Sequence, residues 1–148
     1  MPFKHLIIAT DFSESSQHAL DLAVELAQRF EAELTLVHSW EAPSYSYGGG
    51  LYLPVDLVTP IEQAAVAQLN IALTDLRVRL PRAQSMLRAG LAWEEVLAAA
   101  TQAHADLIVL GTHGRRGLNR ALLGSVAEKV VRLSRVPVLT VHGSPAAK

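Results

Sequence analysis

The sequence contains no cysteine. That absence excludes disulfides, thiolate catalysis and cysteine-based zinc sites. Aromatic residues make up only 5% of the chain, so a core must be built mainly from Leu, Val, Ile and Ala. Neither sign of charge is in excess. The formal net charge is −1, which argues against broad nucleic-acid binding, because that requires a strong basic footprint. No apolar run reaches the ~18 residues of a membrane span. The opening Met-Pro-Phe-Lys-His-Leu-Ile-Ile-Ala-Thr-Asp also lacks a long apolar segment with a small-residue cleavage site. The expected compartment is the cytoplasm. With 148 residues, half of them apolar and 18% charged, the chain is expected to form one globular domain.

Short apolar runs alternate with longer stretches of helical periodicity. Residues 6–9 (Leu-Ile-Ile-Ala) read as a strand buried on both faces, as in parallel sheets. Thr10-Asp11-Phe12-Ser13 reads as a turn, with Ser13 as a helix N-cap. Ala19, Leu20, Ala23, Ala27 and Phe30 recur at helical spacing within 14–30. Residues 33–38 form a second strand. Residues 39–59 are rich in Pro, Gly, Ser and Tyr around Gly48-Gly49-Gly50; loops of this length are either surface excursions or binding lids. Next come a helix from about 55 to 80, ended by Pro81, and a weaker strand over 84–89. Gly90 marks a turn. An Ala-rich helix over 92–103 and a strand over 106–110 follow. A helix from about 122 to 133 precedes a last strand over 136–141 that carries Pro137 near its start. Residues 143–148 are a small polar tail, expected to fray.

Strands separated by helices require parallel pairing with right-handed crossovers. The fold class is therefore α/β, a doubly wound sandwich. Ligands in such sheets bind beyond the C-terminal strand ends, where strand order reverses. With the order 3-2-1-4-5, the turn after strand one faces the segment after strand four.

That segment is Gly-Thr-His-Gly-Arg-Arg-Gly-Leu-Asn-Arg-Ala-Leu-Leu-Gly-Ser over 111–125. Gly111 lets the chain leave the strand without a Cβ. Gly114 and Gly117 allow N–H groups to converge on an anion. Gly124-Ser125 opens a helix whose free N–H groups favour phosphate, and the Ser125 hydroxyl is either a further donor or a cap. Arg115, Arg116 and Arg120 offer charged forks to phosphate oxygens or form a solvated basic face. His113 either faces the phosphates or packs in the loop. Asp11 could accept from ribose hydroxyls, help hold Mg²⁺, or close a turn through its own side chain. The P-loop and the G-x-G-x-x-G dinucleotide signatures are both absent.

These residues are similar to those of the universal stress protein family. Ile8-Ala9-Thr10-Asp11-Phe12-Ser13 resembles its first strand and turn. Gly111-x2-Gly114-x9-Gly124-Ser125 matches the pattern of its ATP-binding branch, and Val136-Pro137-Val138-Leu139 resembles its last strand. The similarity runs from about residue 3 to 142. The resemblance implies a five-stranded parallel sheet of order 3-2-1-4-5 and a homodimer paired through the last strand. It also implies ATP, with Mg²⁺, in the crevice. Asp11, beside Thr10, would meet the ribose, and backbone near Ser39, Ala89 and Gly90 would line the adenine. Gly111, Gly114, Gly124, Ser125 and Val126 would cradle the phosphates, with His113 and Arg115 beside them.

Three functions remain open at this level. The chain could be a nucleotide-dependent stress-response sensor or regulator acting on a protein partner. It could be a slow ATPase or phosphotransferase, for which Asp11 and His113 are the candidate bases and neither has an evident partner. It could also be an interaction module that works without nucleotide.

Overall fold

The computed structural model describes residues 2–43, 56–113 and 123–143. Among these residues nine elements alternate: β1 (His5–Ala9), α1 (Glu14–Phe30), β2 (Glu33–Trp40), α2 (Val58–Arg79), β3 (Gln84–Ala89), α3 (Ala92–Gln102), β4 (Leu107–Gly111), α4 (Ser125–Leu133) and β5 (Val138–Val141). All strand pairs are parallel, in the order β3-β2-β1-β4-β5. β1 and β4 lie side by side, with Leu6 opposite Leu107 and Ile8 opposite Val109. Strand order reverses between them.

The central strands are apolar throughout because both faces are covered. Leu6 and Ile8 of β1, Leu34 and Leu36 of β2, and Leu107 and Val109 of β4 pack with α1 and with Leu69 and Leu76 of α2. Ile7, Val37, Ile108 and Leu110 point the other way, against Val96, Ala99 and Ala100 of α3 and Ala127 and Val130 of α4. The period-two alternation of a strand thus divides each apolar run between two helical layers.

Element ends differ from the sequence expectations for local reasons. β2 continues to Trp40 because Ser39 and Trp40 pair with Arg88 and Ala89 of β3. Asp106 lies just outside β4, where its carboxylate accepts the N–H groups of Lys4 (2.8 Å) and His5 (3.2 Å). α4 begins at Ser125 because Gly124 is still extended, at φ −61° and ψ 158°. β5 begins at Val138, one residue after Pro137. Proline has no N–H to donate, yet its carbonyl still accepts from Ile108 N–H at 3.0 Å. Ser13 caps α1 as expected, its Oγ accepting from Ser16 N–H at 3.2 Å.

α2 starts at Val58, and the carboxylate of Asp56 serves its N-terminus. The Thr59 hydroxyl donates to Oδ2, and Oδ1 accepts the N–H groups of Thr59 (3.1 Å) and Val58 (3.0 Å). The hydroxyl bond first, and then the two backbone bonds, hold this carboxyl below the ordinary aspartate range. A folded-state pKa that is lowered contributes stability above the unfolded value and loses it as pH falls through the folded value. Asp56→Ala is therefore expected to lower Tm at pH 7. The gap to the wild type should narrow as pH drops below about 4, the ordinary aspartate value. Thermal unfolding of both proteins at pH 7 and pH 3 checks this, and equal midpoints at pH 7 would refute it.

Candidate functional site

The C-terminal ends of the four strands β3, β2, β1 and β4 form one edge. Adjacent strands lie about 4.8 Å apart, so this edge spans about 14 Å from β4 to β3. The described candidate residues all sit on it. Thr10 and Asp11 follow β1. Ser39 lies in β2 opposite Arg88, and Ala89 ends β3 opposite Trp40. Gly90 N–H donates to Trp40 O at 2.9 Å, closing the β2–β3 end. Gly111 ends β4 opposite Val141, and His113 follows it. Gly124, Ser125 and Val126 bring the start of α4 back to this edge. Gly114 and Arg115, like Arg116, Gly117, Arg120 and the Gly48-Gly49-Gly50 stretch, lie outside the described residues.

The β1 turn is held by its own side chains. Asp11 Oδ1 accepts Ser13 N–H at 3.0 Å, and Thr10 Oγ1 accepts Phe12 N–H at 3.0 Å. Phe12 takes a left-handed backbone, at φ 62°, which is uncommon for an aromatic residue. Its ring packs on His38 with centroids 4.5 Å apart. His38 Nδ1 in turn donates to Thr10 O at 2.8 Å. One imidazole on β2 thus fixes both ends of the β1 turn. Asp11 does adopt the turn bond that its sequence position allowed.

The glycines at the β4 end have a different reason from the one their sequence suggests. Gly111 is the last strand residue, not a turn. A Cβ there would lie 2.4 Å from Ser15 Oγ and 2.8 Å from the Ser15 carbonyl carbon. Gly111 therefore lets the first turn of α1 press against β4. At Gly124 a Cβ would lie 2.7 Å from Thr112 O. The Gly124 N–H donates to that same oxygen at 2.6 Å, so it is already engaged. Gly124 occupies the N-cap position and has no side chain to cap with. Ser125, expected as a possible cap, is instead the first helical residue. The first bond of the helix runs from Glu128 N–H to Gly124 O, at 2.8 Å. The N–H groups of Ser125, Val126 and Ala127 precede it and have no partner within the helix. They carry the positive end of the helix dipole.

Three polar residues at this edge were not singled out from sequence. Thr112 is buried, at 1% exposure, and its Oγ1 lies 3.1 Å from His113 Nδ1 and 3.3 Å from His142 Nδ1. Its N–H donates to Val141 O at 3.0 Å, joining the ends of β4 and β5. Ser15 is buried against Gly111, with its Oγ 3.5 Å from His113 N. The Thr112–His142 and Ser15–His113 pairs join residues far apart in sequence, so no local pattern announces them. Among the described residues no group of three or more His, Asp or Glu side chains could hold a metal ion. No helix among them is long and apolar enough to cross a membrane.

Known proteins share this fold. The chain is 35% identical to universal stress protein A homolog 1 of Coxiella burnetii over 143 residues, 95% of this chain and 97% of the other. It superposes on the universal stress protein UspA of Lactobacillus plantarum with a TM-score of 0.79 at 22% identity, covering 95% and 99% of the two chains. It also superposes on a universal stress protein solved in complex with cAMP, with a TM-score of 0.71 at 26% identity, covering 97% and 100%. The model of the universal stress protein family matches residues 2–142, nearly the whole described structure. With fold, strand order and sequence in agreement, the chain belongs to the universal stress protein family.

Proposed function

We propose that the chain binds an adenine nucleotide along the C-terminal edge of its sheet and acts as a nucleotide-dependent regulator in a stress response. The observation that carries this reading is the start of α4. Gly124 holds it against the end of β4, with no side-chain bond from the cap position and with the N–H groups of Ser125 and Val126 ahead of the first helical bond. A helix N-terminus in that state favours phosphate. The phosphates lie there, beside Gly111 and His113, with Gly114 and Arg115 of the same motif completing the cradle. The ribose lies at Thr10 and Asp11, and the adenine reaches toward Ser39, Ala89 and Gly90. The relative solved with cAMP supports a nucleotide of this class.

ATP with Mg²⁺ is the form we assign. The donor set fits a cation held mainly by phosphate oxygens and water, with Asp11 as the nearby carboxylate, since Mg²⁺ retains several waters in such sites. When bound, Mg²⁺ would neutralise phosphate charge. The local engagement of Asp11 with Ser13 and of His113 with Thr112 favours holding the nucleotide over activating a water. The site therefore serves occupancy rather than turnover, and a ligand shifts a partner's affinity only by its differential affinity for two states. Among the described residues β5 is an edge strand whose outer side has no partner, which supports a homodimer formed through it. A single domain in the cytoplasm completes the reading.

Calorimetric titration of nucleotide-stripped protein with Mg-ATP, to millimolar ligand, tests it. Saturable heat near one ATP per chain is expected, with AMP and cAMP competing. No heat and no change in Tm would overturn the reading.

A further inference from the structure

Helix α2 is apolar on two opposite faces. Ala65, Leu69 and Leu76 point into the core and are buried. The far side carries Pro60, Ala64, Ala67, Ile71, Thr74 and Val78, all exposed. Their spacing alternates between four and three residues, the pattern of a helix seam packed by a second helix. Ile71 is 66% exposed and Val78 is 83% exposed, the two highest values among the described large hydrophobic residues. They lie one heptad apart. No charged residue occurs from Gln63 to Thr74. A solvated helix face ordinarily carries charge opposite its buried stripe, and an apolar face without it marks an interaction surface.

We propose that this face packs against the same face of a second copy of the chain, with the two α2 helices antiparallel about a two-fold axis near Leu69. A two-fold interface must be self-complementary, and this face is. The antiparallel register sets Ala67 of one copy against Ile71 of the other, Ala64 against Thr74, and Pro60 against Val78, so large residues meet small ones. On either side of the axis, Gln68 meets Gln68 and Asn70 meets Asn70. Side-chain amides both donate and accept, so each pairs with its own copy without repulsion. The charged last turn, with Asp75 and Arg77, lies beside the uncharged Ile61 and Gln63 of the other copy, so no like charges oppose. The exposed Ile61 of the second copy also falls over a cavity of about 310 Å³ between α1 and α2, lined in part by Leu20, Ile71 and Asp75. This inference does not rest on the nucleotide reading and involves no residue of β5.

The chain has no cysteine, so one introduced thiol reports one position. Under mild oxidation Asn70→Cys is expected to give a reducible covalent dimer. Val78→Cys alone is not: the antiparallel register separates the two copies of residue 78 by about 27 Å along the axis at 1.5 Å per residue, well beyond disulfide reach. Sedimentation analysis supplies the second readout. Ile71→Glu with Val78→Glu should halve the mass of the wild-type assembly while leaving the far-UV circular dichroism unchanged, since both positions are exposed. Three results would each overturn the proposal: an unchanged mass, as when a segment of the same chain or a different protein covers this face; cross-linking through Val78→Cys but not Asn70→Cys; or a wild-type chain that sediments as a monomer at tens of micromolar.

Discussion

Gly111→Val is expected to destabilise the protein by at least about 3 kcal/mol, at or beyond the upper end of ordinary overpacking costs. A Cβ alone would sit 2.4 Å from Ser15 Oγ and 2.8 Å and 3.0 Å from the Ser15 carbonyl carbon and oxygen. The hydroxyl can rotate away, but the backbone cannot move alone. Ser15 lies in the first turn of α1, which is fixed by the Ser13 cap and by Ala19, Leu20 and Ala23 in the core. Gly111 is fixed by its pairing with Val141. Valine would have to part the first turn of α1 from the end of β4. Against a total stability of about 5–15 kcal/mol, that loss leaves a marginal protein. Gly111→Ala should lie between the two. Denaturant unfolding of the three proteins measures the series. A valine variant within about 1 kcal/mol of wild type would show that α1 is not held against β4 as described.

Gly124→Val is expected to do the reverse, leaving the fold largely intact while removing nucleotide binding. Its backbone angles, φ −61° and ψ 158°, suit any residue, so no conformational strain enters. The obstruction is Thr112 O, 2.7 Å from the new Cβ. Relief comes by swinging the tip of α4 away from β4, which breaks the bond from Gly124 N–H to Thr112 O and carries the N–H groups of Ser125 and Val126 out of position. An affinity loss of at least tenfold, about 1.4 kcal/mol, is expected. At a ligand concentration one hundred times Kd, a wild-type protein that binds gains about 2.7 kcal/mol, roughly 5–10 °C for a chain of this size. The variant should lose about half of that shift or more, while its unliganded Tm changes little. A variant that binds Mg-ATP as the wild type does would separate the α4 tip from the phosphates.

Much of the fold was legible because parallel strands write themselves as unbroken apolar runs, and Leu6, Ile7 and Ile8 or Leu107 to Leu110 can be little else in a chain of this kind. The Ser13 cap was local and therefore readable. What escaped was set by contacts between distant segments. Gly111 reads from sequence as the point where the chain leaves the strand, because nothing nearby reveals that Ser15, 96 positions earlier, presses on it. Ser125 looked like a possible cap because a hydroxyl at a helix start usually is one, yet the cap position belongs to Gly124. β5 starts two residues later than its apolar run suggests, since a proline that still lends its carbonyl to Ile108 looks apolar and extended like its neighbours. The second apolar face of α2 is visible in sequence only when the buried face is known, because two superimposed helical periods blur each other.

The hydroxyl of Thr112 stands between two imidazoles, with His113 Nδ1 at 3.1 Å and His142 Nδ1 at 3.3 Å. It owns one hydrogen and can give it to only one ring. While both contacts hold, the two neutral rings cannot both present a bare Nδ1, so at least one carries its hydrogen there and has an unprotonated Nε2. Exchanging the two roles requires both rings to change tautomer as the hydroxyl turns from one to the other. The tautomers of the rings at the ends of β4 and β5 are thus set jointly, through one hydroxyl that belongs to neither.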